Sequence, residues 1–236
     1  MILAIVTGLA ALMILVELVG RARPWPRVAG WWARAIALNA VQFGVAWLAG
    51  VSWESRLADY RLWSLDISVP LQVAVGYLTL TFIYYWWHRW RHEIPLLWRC
   101  VHQLHHSPAR IEILTSFYKH PLEILLNSWL STAVLYFVVG LGPKACAYAV
   151  LVTGLAELFY HWNVRTPYWL GFVIQRPESH CVHHQRGVHA YNYADLPLWD
   201  MLWGTFRNPR HWNASCGFGE DRERLLGEML RGKEVT

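Results

Sequence analysis

The chain has 236 residues, which fits one domain of ordinary size. Apolar residues make up 55% of it and charged residues only 16%, against about a quarter charged in soluble domains. With apolar runs of about 20 residues, the length that crosses a bilayer as a helix, this excludes an ordinary soluble globule and indicates an integral membrane protein. The four cysteines, Cys100, Cys146, Cys181 and Cys216, form no CxxC pair, so neither a disulfide framework nor a thiolate metal site is expected.

Ile2–Val19 is an apolar stretch with one acid, Glu17. It has neither the basic start nor the small-residue cleavage site of a signal peptide, and a retained helix is expected. Arg21, Arg23 and Arg27 follow in a short proline-containing loop. Gly30–Val51 is the second expected span, with Trp31 and Trp32 at its start and Arg34 able to snorkel back to the interface. Ser52–Asp66 is amphipathic and expected to be interfacial. Val69–Trp87 is the third span; Tyr84–Trp87 form an aromatic belt where it leaves the hydrocarbon and runs into His88.

The stretch Tyr84–Ser107 holds five histidines. His88 and His92 are four apart, and His102, His105 and His106 follow i, i+3, i+4, so each group projects from one helical face. Pro95 should break the helix between them. A second HxxHH triplet, His180, His183 and His184, recurs downstream. Neutral imidazole is the commonest metal ligand, and three helically spaced groups in one chain argue for metal over scattered surface histidines. Pro121–Tyr160 is too long for one helix, and Gly140-Leu141-Gly142-Pro143-Lys144 splits it into two spans. His161 ends the last of these, one turn after Glu157 and just before Asn163. The remainder is polar, and Glu220–Arg231 reads as an amphipathic surface helix.

The fold expected is all-α: a five-span integral membrane protein with a cytoplasmic helical cap holding a histidine-ligated di-metal site. Residues 1–66 form the N-terminal spans and interfacial segment, 67–210 the histidine-bearing domain, and 211–236 a cytoplasmic tail. Charge supports this layout through the positive-inside rule. Of the 18 arginines and 3 lysines, 18 fall in the loop 21–34, the segment 88–120 and the tail 161–236, while only Arg56, Arg61 and Lys144 fall outside. The net charge of +5 therefore bears on topology rather than on nucleic acid.

Nine imidazoles, His88, His92, His102, His105, His106, His161, His180, His183 and His184, exceed what one ion takes, about four to six ligands. They fit two ions with positions left open for a small molecule. No catalytic group beyond these ligands is singled out. His120, Glu123, Glu157 and Asn163 are candidates for standing behind the ligands and orienting them, although Pro121 and Glu123 equally fit the start of a helix, which His120 would cap. His189 is a tenth ligand or a loop residue, and His211 a solvated tail residue. His92-Glu93 is not a zinc-protease motif, because position 96 is Leu96.

HxxxH, HxxHH, a histidine closing the last span and a second HxxHH together resemble the fatty acid hydroxylase (sterol desaturase) superfamily of membrane di-iron oxygenases. The resemblance runs from about Thr79 to Phe206. It includes Tyr-Tyr-Trp-Trp-His-Arg, the His-Pro-Leu-Glu at 120–123, the His-Trp-Asn-Val-Arg-Thr-Pro at 161–167 and the Leu-Pro-Leu-Trp-Asp-Met-Leu-Trp-Gly-Thr-Phe at 196–206. Thr81 stands where many members have aspartate. The resemblance implies two iron ions, with zinc able to replace them in purified protein, and dioxygen attack on a C–H bond of a membrane lipid, giving a hydroxyl group or a double bond. It also implies a separate electron donor, such as a reductase, a ferredoxin or a cytochrome b5-like protein, since no haem, dinucleotide or iron–sulfur motif is present. The arginine-rich composition points to a bacterial inner membrane. A non-catalytic metal-binding or metal-transport protein is the main alternative; a transporter would carry ionisable residues along its spans. A bis-histidine haem protein would place its ligands deep in facing helices.

The charge distribution predicts that single cysteines at Lys144 and Val188, in a cysteine-free background, label from opposite sides of the membrane. Labelling of both from one side would refute the five-span layout.

Overall fold

The computed structural model describes residues 2–57 and 60–236, so residues 58 and 59 of the expected interfacial segment lie outside the described residues. The described chain is helical without strands. In order, the helices are α1 (Ile2–Val19), α2 (Trp31–Ala49), α3 (Ser55–Leu57), α4 (Val69–Glu93), α5 (Pro95–Leu97), α6 (Gln103–His106), α7 (Pro121–Thr132), α8 (Pro143–His161), α9 (Pro177–His183), α10 (Pro197–Leu202), α11 (Glu220–Glu223) and α12 (Leu226–Met229). Wide π-helical turns cover Gly50–Glu54, Trp98–His102 and Ala133–Val138.

Proline sets several of these starts. It stands in the first turn of α4, α5, α7, α8, α9 and α10, where its missing N–H leaves no intrahelical bond unmade. The break falls where expected, at residues 139–142 between the π turn and α8, and Pro143 and Lys144 open α8.

α4 and α8 pack side by side over Leu80, Leu135, Leu141, Ala145 and Ala149. Gly76 permits the close approach, since a Cβ there would lie 2.6 Å from Leu141 Cδ1. A second cluster joins Trp31, Ala35 and Leu38 of α2 to Leu104, Tyr118, Met229 and Val235.

Two helical stretches, Trp31–Ser52 and Pro121–Val138, are long and apolar enough to cross a membrane. The apolar run Val6–Val19 is shorter. α4 and α8 have the length but are more polar, carrying Gln72, Thr79 and Thr81, and Lys144, Thr153 and Glu157 respectively. Leu12, Leu15, Ile36, Phe43, Trp47, Leu71 and Trp129 are exposed, the kind of outward apolar surface that lipid would cover.

The C-terminus departs from expectation. Glu220–Arg231 is not one surface helix but two single turns interrupted at Arg224 and Leu225. Met229 is fully buried, and Glu223 accepts from Arg34 Nη2 at 3.0 Å and the Ala109 amide at 2.9 Å. Burying both residues requires a bend that a straight helix cannot make. Gln103 fastens the end of the chain, donating to Lys233 O at 2.7 Å and accepting from the Val235 amide at 3.2 Å.

Gly140 has φ +72°, and a Cβ there would sit 2.8 Å from the Trp63 carbonyl oxygen. Gly140→Ala should therefore destabilise the protein by at least the ~1–2 kcal/mol of a left-handed L-residue. The check is the thermal unfolding midpoint in detergent, with an unchanged midpoint counting against the close approach.

Candidate metal centre

α4 presents His88 and His92 on successive turns. Ile94 is extended ahead of Pro95, as the residue before proline prefers, and this ends the helix. The π turn at Trp98–His102 leads into α6, so His102, His105 and His106 face back toward α4. His161 comes from the last residue of α8, and His180, His183 and His184 from α9 and its C-cap.

These nine residues form two adjoining sets. His88, His92, His102, His106 and His183 make one; His105, His161, His180 and His184 make the other. Within each set the available ligand nitrogens lie within 4.8 Å of one another. The imidazoles of His106 and His184 stack across the boundary, 4.0 Å between centroids. Each HxxHH triplet divides between the sets. His102 and His106 serve the first and His105 the second, whereas His180 and His184 serve the second and His183 the first.

Hydrogen bonds fix which ring nitrogen carries the proton. His88 Nδ1 donates to Tyr193 O at 2.8 Å, and His102 Nδ1 to the Glu123 carboxylate at 3.1 and 3.2 Å. A neutral ring that donates through Nδ1 presents a lone pair at Nε2. Yet His88 Nε2 and His102 Nε2 are 3.0 Å apart. The second set repeats this arrangement. His161 Nδ1 donates to Glu157 O at 2.8 Å and His180 Nδ1 to Gln175 Oε1 at 2.7 Å, leaving their Nε2 atoms 3.0 Å apart. Facing lone pairs repel unless a cation lies between them. The spacing also matches adjacent ligands around a metal, since nitrogens about 2.1 Å from an ion at right angles lie ~3 Å apart. His92 Nε2 and His183 Nε2 are buried without a hydrogen-bond partner, a deficit of ~1–3 kcal/mol each that coordination would relieve. The residues therefore fit two metal ions.

Burial is the main cause that holds the ligands neutral. It pushes His102, His105, His106, His180 and His184 well below the usual imidazole range, with neighbouring positive charge adding to the effect. His183 is pushed down to about 3. Such rings are ready to bind metal without first losing a proton.

The structure places the four residues expected behind the ligands in different ways. Glu123 is fully buried and joins Arg91 to His102. Glu157 orients His161, but through its backbone carbonyl; its carboxylate pairs with Lys119. Asn163 instead ties down the α1–α2 loop, bonding the Arg23 amide and carbonyl at 3.1 and 3.0 Å. His120 caps α7, accepting from the Leu122 amide at 3.1 Å, and its other nitrogen lies 3.2 Å from Leu230 O. Thr81 accepts from Trp199 Nε1 at 3.0 Å. His189 lies beside the first set, its Nδ1 3.2 Å from that of His106.

Sequence reasoning gave His189 as a tenth ligand or a loop residue but missed what the loop 189–193 does for the ligands. His189, Tyr191 and Asn192 have φ of +42°, +70° and +47°, a left-handed backbone that costs L-residues about 1–2 kcal/mol each. The resulting turn aims backbone groups at three ligands: His189 at His92, Tyr191 O at His183 at 2.7 Å, and Tyr193 O at His88. Asn192 holds it through Ser179 O, Arg207 O and the Arg207 amide, and Asp200 through the amides of Tyr193 and Ala194. Backbone carbonyls leave no mark in a sequence. Asp200 was visible only as part of the Leu-Pro-Leu-Trp-Asp stretch.

A cavity of ≈ 320 Å³ adjoins both sets. His88, His102, His105 and His180 form part of its wall, with Lys119, Glu157 and Asp195 nearby. Desolvation raises the Asp195 carboxyl to about 7.

Gln175 offers a clean test of the groups behind the ligands, because its amide also donates to Asn192 O and Ala194 O at 2.8 and 2.6 Å. Gln175→Leu should weaken metal retention ~10–100-fold, measured by competition with a chelator. Unchanged retention would rule out the orienting role.

A family model for fatty acid hydroxylases matches residues 73–205. Human alkylglycerol monooxygenase is 31% identical over 65% of this chain and 34% of its own length. The ornithine lipid hydroxylase OlsE of Rhizobium tropici is 32% identical over 63% of this chain and 46% of its own. The sphingolipid C4-hydroxylase sur2 of Schizosaccharomyces pombe is 26% identical over 53% and 44%. The chain thus spans less than half the length of these relatives. No solved structure matches. The match over residues 73–205 takes in all nine histidines, and the chain belongs to the fatty acid hydroxylase family.

Proposed function

We propose that this protein is a membrane di-iron oxygenase that inserts one oxygen atom of dioxygen into a C–H bond of a membrane lipid, hydroxylation being favoured over desaturation. The observation that carries this reading is the pair of imidazole sets with opposed lone pairs, both opening on one cavity. Two iron ions held there would supply the redox chemistry that activates dioxygen and attacks an unactivated C–H bond, given two electrons from outside. Zinc would replace them without that chemistry.

The chain's own residues do the rest. His88, His92, His102, His106 and His183 hold one ion, and His105, His161, His180 and His184 the other. Glu123, Gln175 and the carbonyls of Glu157, Tyr191 and Tyr193 keep each ring fixed with its metal-binding nitrogen inward. The cavity receives the reacting part of the lipid and excludes bulk water from it. An apolar groove formed by Ile83, Trp86, Trp87, Trp90 and Leu130 on α4 and α7 suits the remaining hydrocarbon. Lipid substrates of relatives, named as alkylglycerol, ornithine lipid and sphingolipid, support a lipid here.

In this reading the five-span arrangement places the histidines on the cytoplasmic side of a bacterial inner membrane. A separate donor, a reductase, ferredoxin or cytochrome b5-like protein, docks there, steered by the basic face.

Cells expressing the protein under ¹⁸O-labelled dioxygen should accumulate a lipid carrying one labelled oxygen. His105→Ala and His183→Ala should lose that product and part or all of the two irons, whereas His211→Ala should match the parent. A product lacking two hydrogens and unlabelled would indicate desaturation. Full metal and activity in both ligand variants would refute the assignment.

A further inference from the structure

Large apolar side chains gather on one face of the polar segment that follows the last span. Leu198, Leu202 and Trp203 of α10 and its C-cap are exposed, and so are Trp169, Phe172 and Val173 in and just after the 3-10 turn Tyr168–Phe172. Trp169 and Leu202 reach 64% and 63% exposure, and a contiguous display of this kind marks an interaction surface. The two elements are neighbours. α10 packs on the turn, and the rings of Phe172 and Phe206 lie 5.7 Å apart.

Contacts with α4 fix the level of this face. Trp199 donates through Nε1 to Thr81 Oγ1 at 3.0 Å and meets Phe82 edge-on, 5.2 Å between centroids. Trp203 stacks on Tyr85 at 5.1 Å and meets Trp86 at 5.2 Å. α10 is therefore level with residues 81–86. Thr81 precedes His88 by ~10 Å along the helix axis at 1.5 Å per residue. It follows Val69 by ~18 Å, well inside a hydrocarbon layer about 30 Å thick. In the five-span layout the histidines stand at the cytoplasmic end of α4, and α10 lies on the membrane side of them.

We infer that α10 and the turn Tyr168–Phe172 dip from the cytoplasmic side into the adjacent leaflet, where acyl chains of the surrounding membrane cover their exposed face. This inference rests on the five-span reading and adds to it a re-entrant element that crosses nothing.

The backbone meets the condition that such a position imposes. Irregular chain at membrane depth has to satisfy its polar groups within the protein. The buried Asp200 carboxylate accepts from the Tyr193 and Ala194 amides at 2.8 and 3.0 Å and from Thr205 Oγ1 at 2.7 Å. Its carbonyl accepts from the Thr205 and Phe206 amides at 2.8 and 3.1 Å, and Trp199 O from the Trp203 amide at 3.1 Å.

Charge identifies lipid as the cover. Arg165, Arg207 and Arg210 flank the two elements in the chain and are exposed. None of the three has a carboxylate partner among the described residues. Arginines beside an apolar face with tryptophans suit the phosphate head groups that border acyl chains. A second copy of the chain, seated on this face across a two-fold axis, would bring the same arginines against each other.

The test places a nitroxide label at Leu202→Cys in the full chain, in a cysteine-free background and in nanodiscs containing anionic phospholipid. Arg222→Cys, exposed on the C-terminal segment, is the water-facing control, and Leu78→Cys, exposed on α4, the lipid-facing one. Collisions with dissolved oxygen, which prefers hydrocarbon, should exceed those with a water-soluble nickel chelate severalfold at Leu202 and Leu78, and the order should reverse at Arg222. A Leu202 label that behaves like Arg222 while Leu78 stays in lipid would overturn the dip and leave the five-span layout standing. Nickel-dominated collisions at both would overturn both. Dipolar broadening between Leu202 labels would put a second copy on the face and overturn the lipid cover. Should the cysteine-free background fail to fold, p-benzoylphenylalanine in place of Leu202 in the otherwise unaltered chain should gain the mass of one phospholipid on irradiation. A gain no greater than at Arg222 would overturn the inference. Missing oxygenated product alongside intact lipid contact would refute the oxygenase reading alone.

Discussion

Everything near the site follows from pairs of imidazole lone pairs held face to face. His88 against His102 and His161 against His180 are each forced to point Nε2 inward because Nδ1 is committed to a fixed acceptor. A cation between the facing lone pairs would offset their repulsion, and burial disfavours protonation of these rings. The surrounding fold holds the rings in this arrangement. Rings held this way already point their free nitrogens to where a metal ion would sit.

Stiffness comes from three directions. Arg91 and Glu123 form a buried pair beneath His102. The 189–193 loop keeps a strained backbone in place through Asn192 and Asp200, converting that strain into acceptors for His183 and His88. The C-terminal turns close over α6, where Gln103 and Met229 lock the segment that carries His102, His105 and His106. Remote segments thus contribute to ligand geometry without contributing a ligand.

In the proposed reading, discrimination among substrates would come from the cavity wall rather than from the histidines. Here that wall combines the faces of α4, α7 and α8, with an ion pair one turn from a ligand.

The sequence alone determined the residue types and their periods. Helical spacing of His88 and His92, the break at Pro95, the hairpin at Gly140–Lys144 and the nine-histidine set are local properties, legible because i, i+4 contacts depend only on helix geometry. The family resemblance followed from the same local strings. Three-dimensional packing decided the rest. Each HxxHH triplet looks like one cluster on one face, yet His105 and His183 cross to opposite sets because α6 and α9 meet with their histidine faces interleaved. Glu157 acts through a carbonyl, and Asn163 turns toward Arg23; neither follows from residue identity. Glu220–Arg231 has a helical pattern but bends, because burying Glu223 and Met229 outweighs helix propensity over so few residues. Lys119 and Glu157, 38 residues apart, become one feature only when α8 is packed against the chain leading into α7, and no period in the sequence encodes that encounter.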